Sequence, residues 1–502
     1  MGASSFSFLE TTIEEIQQAI QKGTLTSLEL VEWYIERIQS FNQSGPELNA
    51  IVNVNEKARQ EAVELDRYFK VNGQLKGPLH GVPVLVKDQA ETKGIPTTFG
   101  SSAFKEYVPK SDATLVEKLR EAGAIILAKT SMCDFAAGWF SFSSVTGQTK
   151  NPYALNREAG GSSAGTSCGI TSNFGAVGIG EDTGGSIRIP SSFNNLFGLR
   201  VTTGLISRFG FSPLVHFQDS PGPITRTVRD MAKLLDVIVG YDEKDPFTAA
   251  AIQARDAGKY EELLKHSNLE GRRIGILRSA FGPDNDDSRP VNQVIESVIE
   301  RLKAAGAVIV DSVEIPELDR FLEETSMYTL QSKKDITRFL SSRENTPLKS
   351  FMEVYNAKAF HPLNDLFHDI ADGPEEPAEQ ADYYRQRFAQ EEFRRTVMNV
   401  LASYEVEALL FPDVKVLPPT YEELHAEKWS CLTFPTNTTI SSQTGLPSMS
   451  VPGGFTPDGI PVGFELLGTP FSEASLLQLA YAYEKLAKPR KPPVLPEKIV
   501  NH

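Results

Sequence analysis

Residues 160–190 read GGSSAGTSCGITSNFGAVGIGEDTGGSIRIP, and nine of the 37 glycines in this 502-residue chain fall between Gly160 and Gly185. Glycine is costly in regular structure, so such density marks backbone that adopts unusual dihedrals or lies close to something. A flexible linker would not contain the apolar runs Ala176–Gly180 and Ile187–Ile189. Gly184 and Gly185 immediately precede Ser186. Two glycines before a serine permit a tight turn whose successive N–H groups converge, a nest suited to the oxyanion of a tetrahedral intermediate. Losing one such donor typically raises a barrier by roughly 3–4 kcal/mol. The chemistry served is attack by the Ser186 hydroxyl on a carbonyl carbon.

Two other arrangements compete for the same stretch. A phosphate-cradling loop needs G-x-x-x-x-G-K-[ST], which is absent. Gly161-Ser162-Ser163-Ala164-Gly165 satisfies the G-x-S-x-G nucleophile elbow, with Ser163 as nucleophile. An elbow needs a buried strand just before it, whereas Asn151–Ala159 is polar and contains Pro152. It also needs a histidine and an acid, and His216, His361 and His425 sit in no distinctive loop motif.

Ser186 needs a base, and no histidine lies near it in sequence. Lys87 ends the apolar run Val82–Val86. An amine leaving a buried strand is poorly hydrated, which disfavours ammonium and frees neutral amine to take a proton. A strand-end lysine turned to solvent, or paired with Asp88, fits the same residues.

The elements that must hold these groups alternate in kind. Thr11-x-x-Glu14 and Thr26-x-x-Glu29 each read as a capping box opening a helix. Strands are expected at Val82–Val86, Ala124–Ala128, Ile274–Leu277, Ala307–Val313, Ala408–Phe411, Ser448–Val451 and Val462–Leu467. Helices are expected at Thr114–Ala122, Val291–Ala305, Asp382–Leu401 and Glu473–Leu486. This alternation predicts an α/β fold: a single domain, 1–502, with a large mixed β-sheet covered on both faces by α-helices. Its core is expected over roughly 70–230 plus 405–490, with a helical middle segment over roughly 285–405. The acidic, proline-containing stretch Asp372–Gln380 reads as an exposed connection.

The segment Gly160–Pro190 resembles the amidase signature family, and Gly81–Ser102 is similar to that family's segment around its catalytic lysine. Ala122–Thr130, Gly147–Pro152, Phe197–Gly204, Gly222–Asp230, Thr444–Pro452 and Gly459–Gly468 echo further family blocks, so the resemblance spans essentially the whole chain. Lys87 precedes Ser162 by 75 residues and Ser162 precedes Ser186 by 24, separations similar to those of family members. The resemblance implies a Ser–Ser–Lys triad: Ser186 as nucleophile, neutral Lys87 as base, and Ser162, after a cis peptide bond, as proton shuttle. It implies an oxyanion hole from the N–H groups of Thr183, Gly184, Gly185 and Ser186. Ser163, Asp182 and Arg188 match positions that orient the loop. Departures occur at Ser131 and Asp134 (more often Asn and Glu), at Glu181 (usually a small residue) and at Arg200-Val201 (Lys-Pro); none is a triad position.

The implied activity is hydrolysis of linear amides, at C–N bonds other than peptide bonds, to acid plus ammonia or amine through an acyl-enzyme. Within the family the chain is closest in character to stand-alone bacterial amidases such as the peptide amidases. The alternative is the glutaminase subunit of a tRNA-dependent amidotransferase. Trp139, Phe140 and Phe142 are core residues or an apolar wall for substrate, and Phe217 and Gln218 resemble a family loop near the pocket.

A net charge of −15 argues against nucleic-acid binding, which needs a concentrated cationic face. The expected substrate is a small-molecule amide, and a homodimer is compatible with that. No cofactor is expected, nor a metal: in Asp284-Asn285-Asp286-Asp287, Arg289 takes the place of the glycine a calcium loop needs. His361 and His368 lack H-E-x-x-H spacing. Cys133, Cys168 and Cys431 form no C-x-x-C pair. The N-terminal residues show no signal peptide, and Gly2 lacks the Ser or Thr that myristoylation prefers at Phe6. No apolar run is long enough to cross a membrane. Together these predict a cytoplasmic enzyme.

Overall fold

The chain, described by a computed structural model over residues 6–495, builds one eleven-stranded sheet and two small hairpins. Gly2 lies outside the described residues. The sheet strands are β1 (Ile51–Val54), β2 (Pro83–Lys87), β3 (Ile125–Thr130), β4 (Val177–Asp182), β5 (Phe197–Arg200) and β6 (Ser220–Thr225). They continue with β7 (Arg273–Leu277), β8 (Val308–Val313), β9 (Ala408–Pro412), β10 (Ser448–Phe455) and β11 (Pro461–Leu467). Their order is β1-β3-β2-β4-β6-β5-β10-β11-β9-β7-β8. β3-β2-β4 and β9-β7-β8 run parallel and the remaining neighbours antiparallel, so the sheet is mixed.

β2, β3 and β4 are buried at every residue; β2 and β3 accordingly read as near-continuous apolar runs, while β4 spaces Val177 and Ile179 with glycines before Glu181 and Asp182. Their shared direction decides where chemistry can sit. Lys87 pairs in register with Thr130, and Val86 with Ile179. The carboxyl ends of the three strands, carrying Lys87, Thr130 and Asp182, therefore meet along one rim, where open α/β sheets place their ligands. β6 starts at that rim, Ser220 opposite Asp182.

Helices cover both faces. The helix Ala164–Thr171 lies close on β2, β3 and β4 because glycines face it: a Cβ on Gly178 would come within 2.5 Å of Thr166 Cγ2. Between 285 and 405 come β8 and six α-helices, among them Tyr328–Ser341, Asp365–Asp372 and Tyr383–Ser403. Among the described residues no helix is long and apolar enough to cross a membrane.

The expected elements form, with ends displaced by a few residues. One start signal is corrected: the first helix, Ile13–Gln21, is capped by Thr12 with Glu15, not by Thr11 with Glu14. The Thr26–Glu29 box forms as expected. The polar stretch before Ser163 makes a hairpin strand, Ala154–Glu158, outside the main sheet. An aromatic cluster including Phe99, Phe135, Phe142, Phe351 and Phe367 fills the space beside the glycine-rich segment.

Candidate active site

Lys87 is fully buried, and its Nζ lies 2.8 Å from Ser162 Oγ and 3.0 Å from the carbonyl oxygen of Glu181. Ser162 reaches it from the opposite loop through a cis Gly161–Ser162 peptide bond. Burial pushes the Lys87 pKa down, with the Glu181 carboxyl pulling the other way. The pairing with Asp88 does not form: Asp88 instead accepts from Thr98 and faces Lys129 at 3.8 Å.

Ser186 sits on the turn that leaves β4. Gly185 holds φ +132°, and a Cβ there would fall 2.0 Å from Thr438 Oγ1, so only glycine fits. Asp182 braces the turn from behind. Its carboxylate accepts from the N–H groups of Gly185 (2.9 Å) and Ile187 (3.0 Å), from Arg188 Nε (3.1 Å) and Nη2 (2.9 Å), and from Arg200 Nη1 (3.0 Å). Burial alone would raise the Asp182 pKa; the two guanidiniums hold it below the usual carboxylate range. Arg188 continues outward to Glu465 (2.9 Å) and Ser442 (2.7 Å). Ser163 ties the loops together: its N–H donates to the Ser186 carbonyl (3.1 Å), and its hydroxyl to the Glu181 carbonyl (3.2 Å).

One of the expected oxyanion donors is otherwise engaged, since Gly185 gives its N–H to Asp182. The amides of Thr183, Gly184 and Ser186 have no acceptor among the described residues. Thr183 spends its hydroxyl on Asp219 (2.6 Å), and its carbonyl accepts from Gln218 Nε2 (2.6 Å). In front of Ser186 lies a narrow crevice of about 10 Å³, room for about one water, whose wall includes Trp139, Leu214, Tyr328, Leu366, Cys431 and Leu432. No residue lining it carries a charge.

A buried lysine on a serine, beside a second serine on a glycine-built turn, is the arrangement expected of an amidase signature enzyme. The family model described as Amidase matches residues 29–477. The chain belongs to the amidase family. It is 34% identical over 511 residues to a probable amidase of Arabidopsis thaliana, covering 98% of this chain and 93% of that one. It is 31% identical to a glutamyl-tRNA(Gln) amidotransferase subunit from Thermoanaerobacter pseudethanolicus, over 95% of this chain and 96% of the relative. Its fold is shared with the native peptide amidase of Stenotrophomonas maltophilia at a TM-score of 0.85 and 32% identity, over 97% and 99% of the two chains.

The other singled-out residues are distributed around this amidase fold. Phe140 packs on Phe434 (5.2 Å between ring centres) and Phe142 on His361 (5.1 Å), and neither lines the crevice, whereas their neighbour Trp139 does. Phe217 and Gln218 line a separate cavity of about 760 Å³, where Arg387 stacks on Phe217. Gln218 also reaches Tyr328 Oη at 3.2 Å, so it touches the crevice wall from behind. Asp284 and Asp286 are both taken by Arg289, at 2.8 and 2.9 Å. His368 bonds Tyr355 (3.1 Å), and Cys133, Cys168 and Cys431 are free and buried. Tyr328 and Thr438 carry no local motif, and Glu465 lies in the block Gly459–Gly468 without a role of its own being read there. Glu181 is marked in the sequence only as a departure beside Asp182.

Proposed function

We propose that this chain hydrolyses uncharged linear carboxylic amides, at C–N bonds other than peptide bonds, to acid plus ammonia or amine. Ser186 attacks the carbonyl. Its proton passes to Ser162 as the Ser162 proton passes to Lys87, and the ammonium then protonates the departing nitrogen by the same route. The amides of Thr183, Gly184 and Ser186 are the free donors for the oxyanion. Water then attacks the acyl-enzyme on Ser186, with Lys87 again taking the proton. The observation that carries this reading is the 2.8 Å contact between a fully buried Lys87 amine and Ser162.

Relatives that are amidotransferase subunits favour a second reading, a glutaminase that supplies a partner with ammonia. Glutamine brings an α-ammonium and an α-carboxylate, and burying either without a partner is costly. The uncharged crevice supports a neutral acyl group instead.

The test is a panel of aliphatic, aryl and peptide carboxamides, with glutamine, given to the isolated chain. Acid release from the neutral amides, abolished by Ser186→Ala, is expected. Turnover of glutamine alone, and only with a partner, would overturn the reading. Because neutral Lys87 is required, kcat/KM falls as acidification converts the amine to ammonium. A profile without an acid limb counts against a lysine base.

A further inference from the structure

Successive residues of a strand face opposite ways, so β4 sends Asp182 to the Ser186 turn and Glu181 toward Lys87. Glu181 Oε2 lies 3.6 Å from Lys87 Nζ, with both side chains buried. This contact lacks the form of a made ion pair, since charge-assisted N–H···O bonds close to about 2.7–2.9 Å. The hydrogen bonds of Nζ go to Ser162 Oγ and to the Glu181 carbonyl. Glu181 Oε2 has no hydrogen-bond partner among the described residues, and Oε1 lies 3.3 Å from Thr183 Oγ1, whose one proton goes to Asp219 at 2.6 Å, with the Gln89 amide close by. An ionised carboxylate so placed is buried with almost nothing to solvate it; a carboxylic acid is not.

The surroundings point the same way. Facing the pair are the Asp182 and Asp219 carboxyls, the Cys133 thiol, and the guanidiniums of Arg188 and Arg200 on Asp182. With Glu465 on Arg188 there are three carboxylates against two guanidiniums, an excess of negative charge that opposes ionisation of Glu181. Burial accordingly raises the Glu181 pKa to about 8 and lowers that of Lys87.

We propose that Glu181 is a positioning residue held as the neutral acid near neutral pH, leaving Lys87 an uncharged amine, and that its ionisation closes the reaction on the alkaline side. This rests on the reading of Lys87 as the base. At rest the pair is –COOH and –NH2. As the Ser186 C–O bond forms, the carbonyl π electrons move onto oxygen and the serine proton reaches Lys87 through Ser162. It leaves by the same path as the C–N bond breaks. Glu181 keeps its proton throughout. A carboxylate there would add negative charge beside the forming oxyanion and hold the ammonium once made, and either slows the cycle.

The experiment compares kcat/KM against pH for the wild type, Glu181→Gln and Glu181→Thr, with infrared difference spectra of wild type minus Glu181→Gln at neutral pH. Wild type is expected to lose activity above a midpoint near about 8, while both variants hold a plateau there. At pH about 9 the Gln variant should retain at least about five-fold more of its maximal kcat/KM than wild type, with the acid limbs coinciding. The spectra should show the carbonyl band of a protonated carboxyl group. An alkaline limb shared by all three proteins overturns the proposal. So does a Gln acid limb moved down by about one unit or more, because Glu181 was then ionised. The infrared reading needs no turnover. A missing band sinks the proposal while leaving the amidase reading standing; a present band without amide turnover sinks the amidase reading alone.

Discussion

The two sides of the Ser186 turn are built on opposite principles. Behind it, Asp182, Arg188, Arg200 and Glu465 form a buried ionic lattice in which the Asp182 carboxylate takes five N–H donors. In front, the crevice is apolar, assembled from 136–139, 214, 328, 366 and 431–432. The back fixes the geometry of a reaction and tolerates little change, because removing one partner leaves a buried charge uncompensated. The front has to exclude water and fit a shape; most of its residues are buried in the aromatic cluster, but Leu432 at its mouth is exposed and exchangeable at small cost. Chemistry and selectivity are therefore separable here, and substitutions on each side should behave differently.

The sharpest break comes from the groups proposed to react. Lys87→Ala should lower kcat by about 10⁴-fold or more, the scale on which removing a member of a concerted catalytic set acts. A drop of less than about 100-fold would mean that the buried amine is not the base.

Next comes the ionic lattice. Arg188→Met leaves Asp182 with Arg200 alone and strips Glu465 of its only cation among the described residues. A stability loss of about 3–5 kcal/mol is expected in denaturant unfolding. Arg188→Lys should not restore it, since one ammonium cannot reproduce a fork that reaches Asp182, Glu465 and Ser442 together. Full recovery by lysine would show that charge alone matters there. The apolar side is gentler. Leu432 is 45% exposed at the crevice, so Leu432→Ala should leave stability within about 1 kcal/mol. It should shift the ratio of kcat/KM between bulky and small acyl groups about tenfold toward the bulky. An unchanged ratio would place the acyl group elsewhere, the cavity beside Phe217 being the alternative.

The same division explains what could be read before the structure. Lys87 and Ser186 stand at a strand end and in a glycine turn, where short-range pattern suggests geometry: an apolar run and then a polar residue, or two glycines and then a serine; Asp182 and Arg188 came from family resemblance. Ser162 as intermediary came from family resemblance, because no spacing rule tells which of two adjacent serines faces a lysine 75 residues away. The crevice was legible only in part. Phe140 and Phe142 follow Trp139, but the chain turns there and they enter the aromatic cluster. Tyr328, Leu366 and Leu432 carry no signal beyond hydrophobicity, and only the packing of three distant segments brings them to Ser186. The capping box slipped by one residue because Thr11-Thr12 and Glu14-Glu15 offer two equivalent registers. Asp230 decides between them by accepting from the Ile13 N–H at 3.0 Å.

The smallest expected effect separates the two serines that sequence alone leaves adjacent. Ser163 links the halves of the site chiefly through its backbone N–H, which Ser163→Ala preserves. The variant loses one hydroxyl contact to the Glu181 carbonyl at 3.2 Å, one it also accepts from the Glu181 N–H at 3.3 Å, and no charge. Neutral hydrogen bonds of this kind contribute about 0.5–1.5 kcal/mol each. Ser163→Ala should therefore lower kcat less than about tenfold, with KM little changed, while Ser162→Ala, which removes the hydroxyl in contact with Lys87, falls far further. A Ser163→Ala protein as inactive as Ser186→Ala would move the nucleophile to the G-x-S-x-G serine and undo the division between the two faces of the turn.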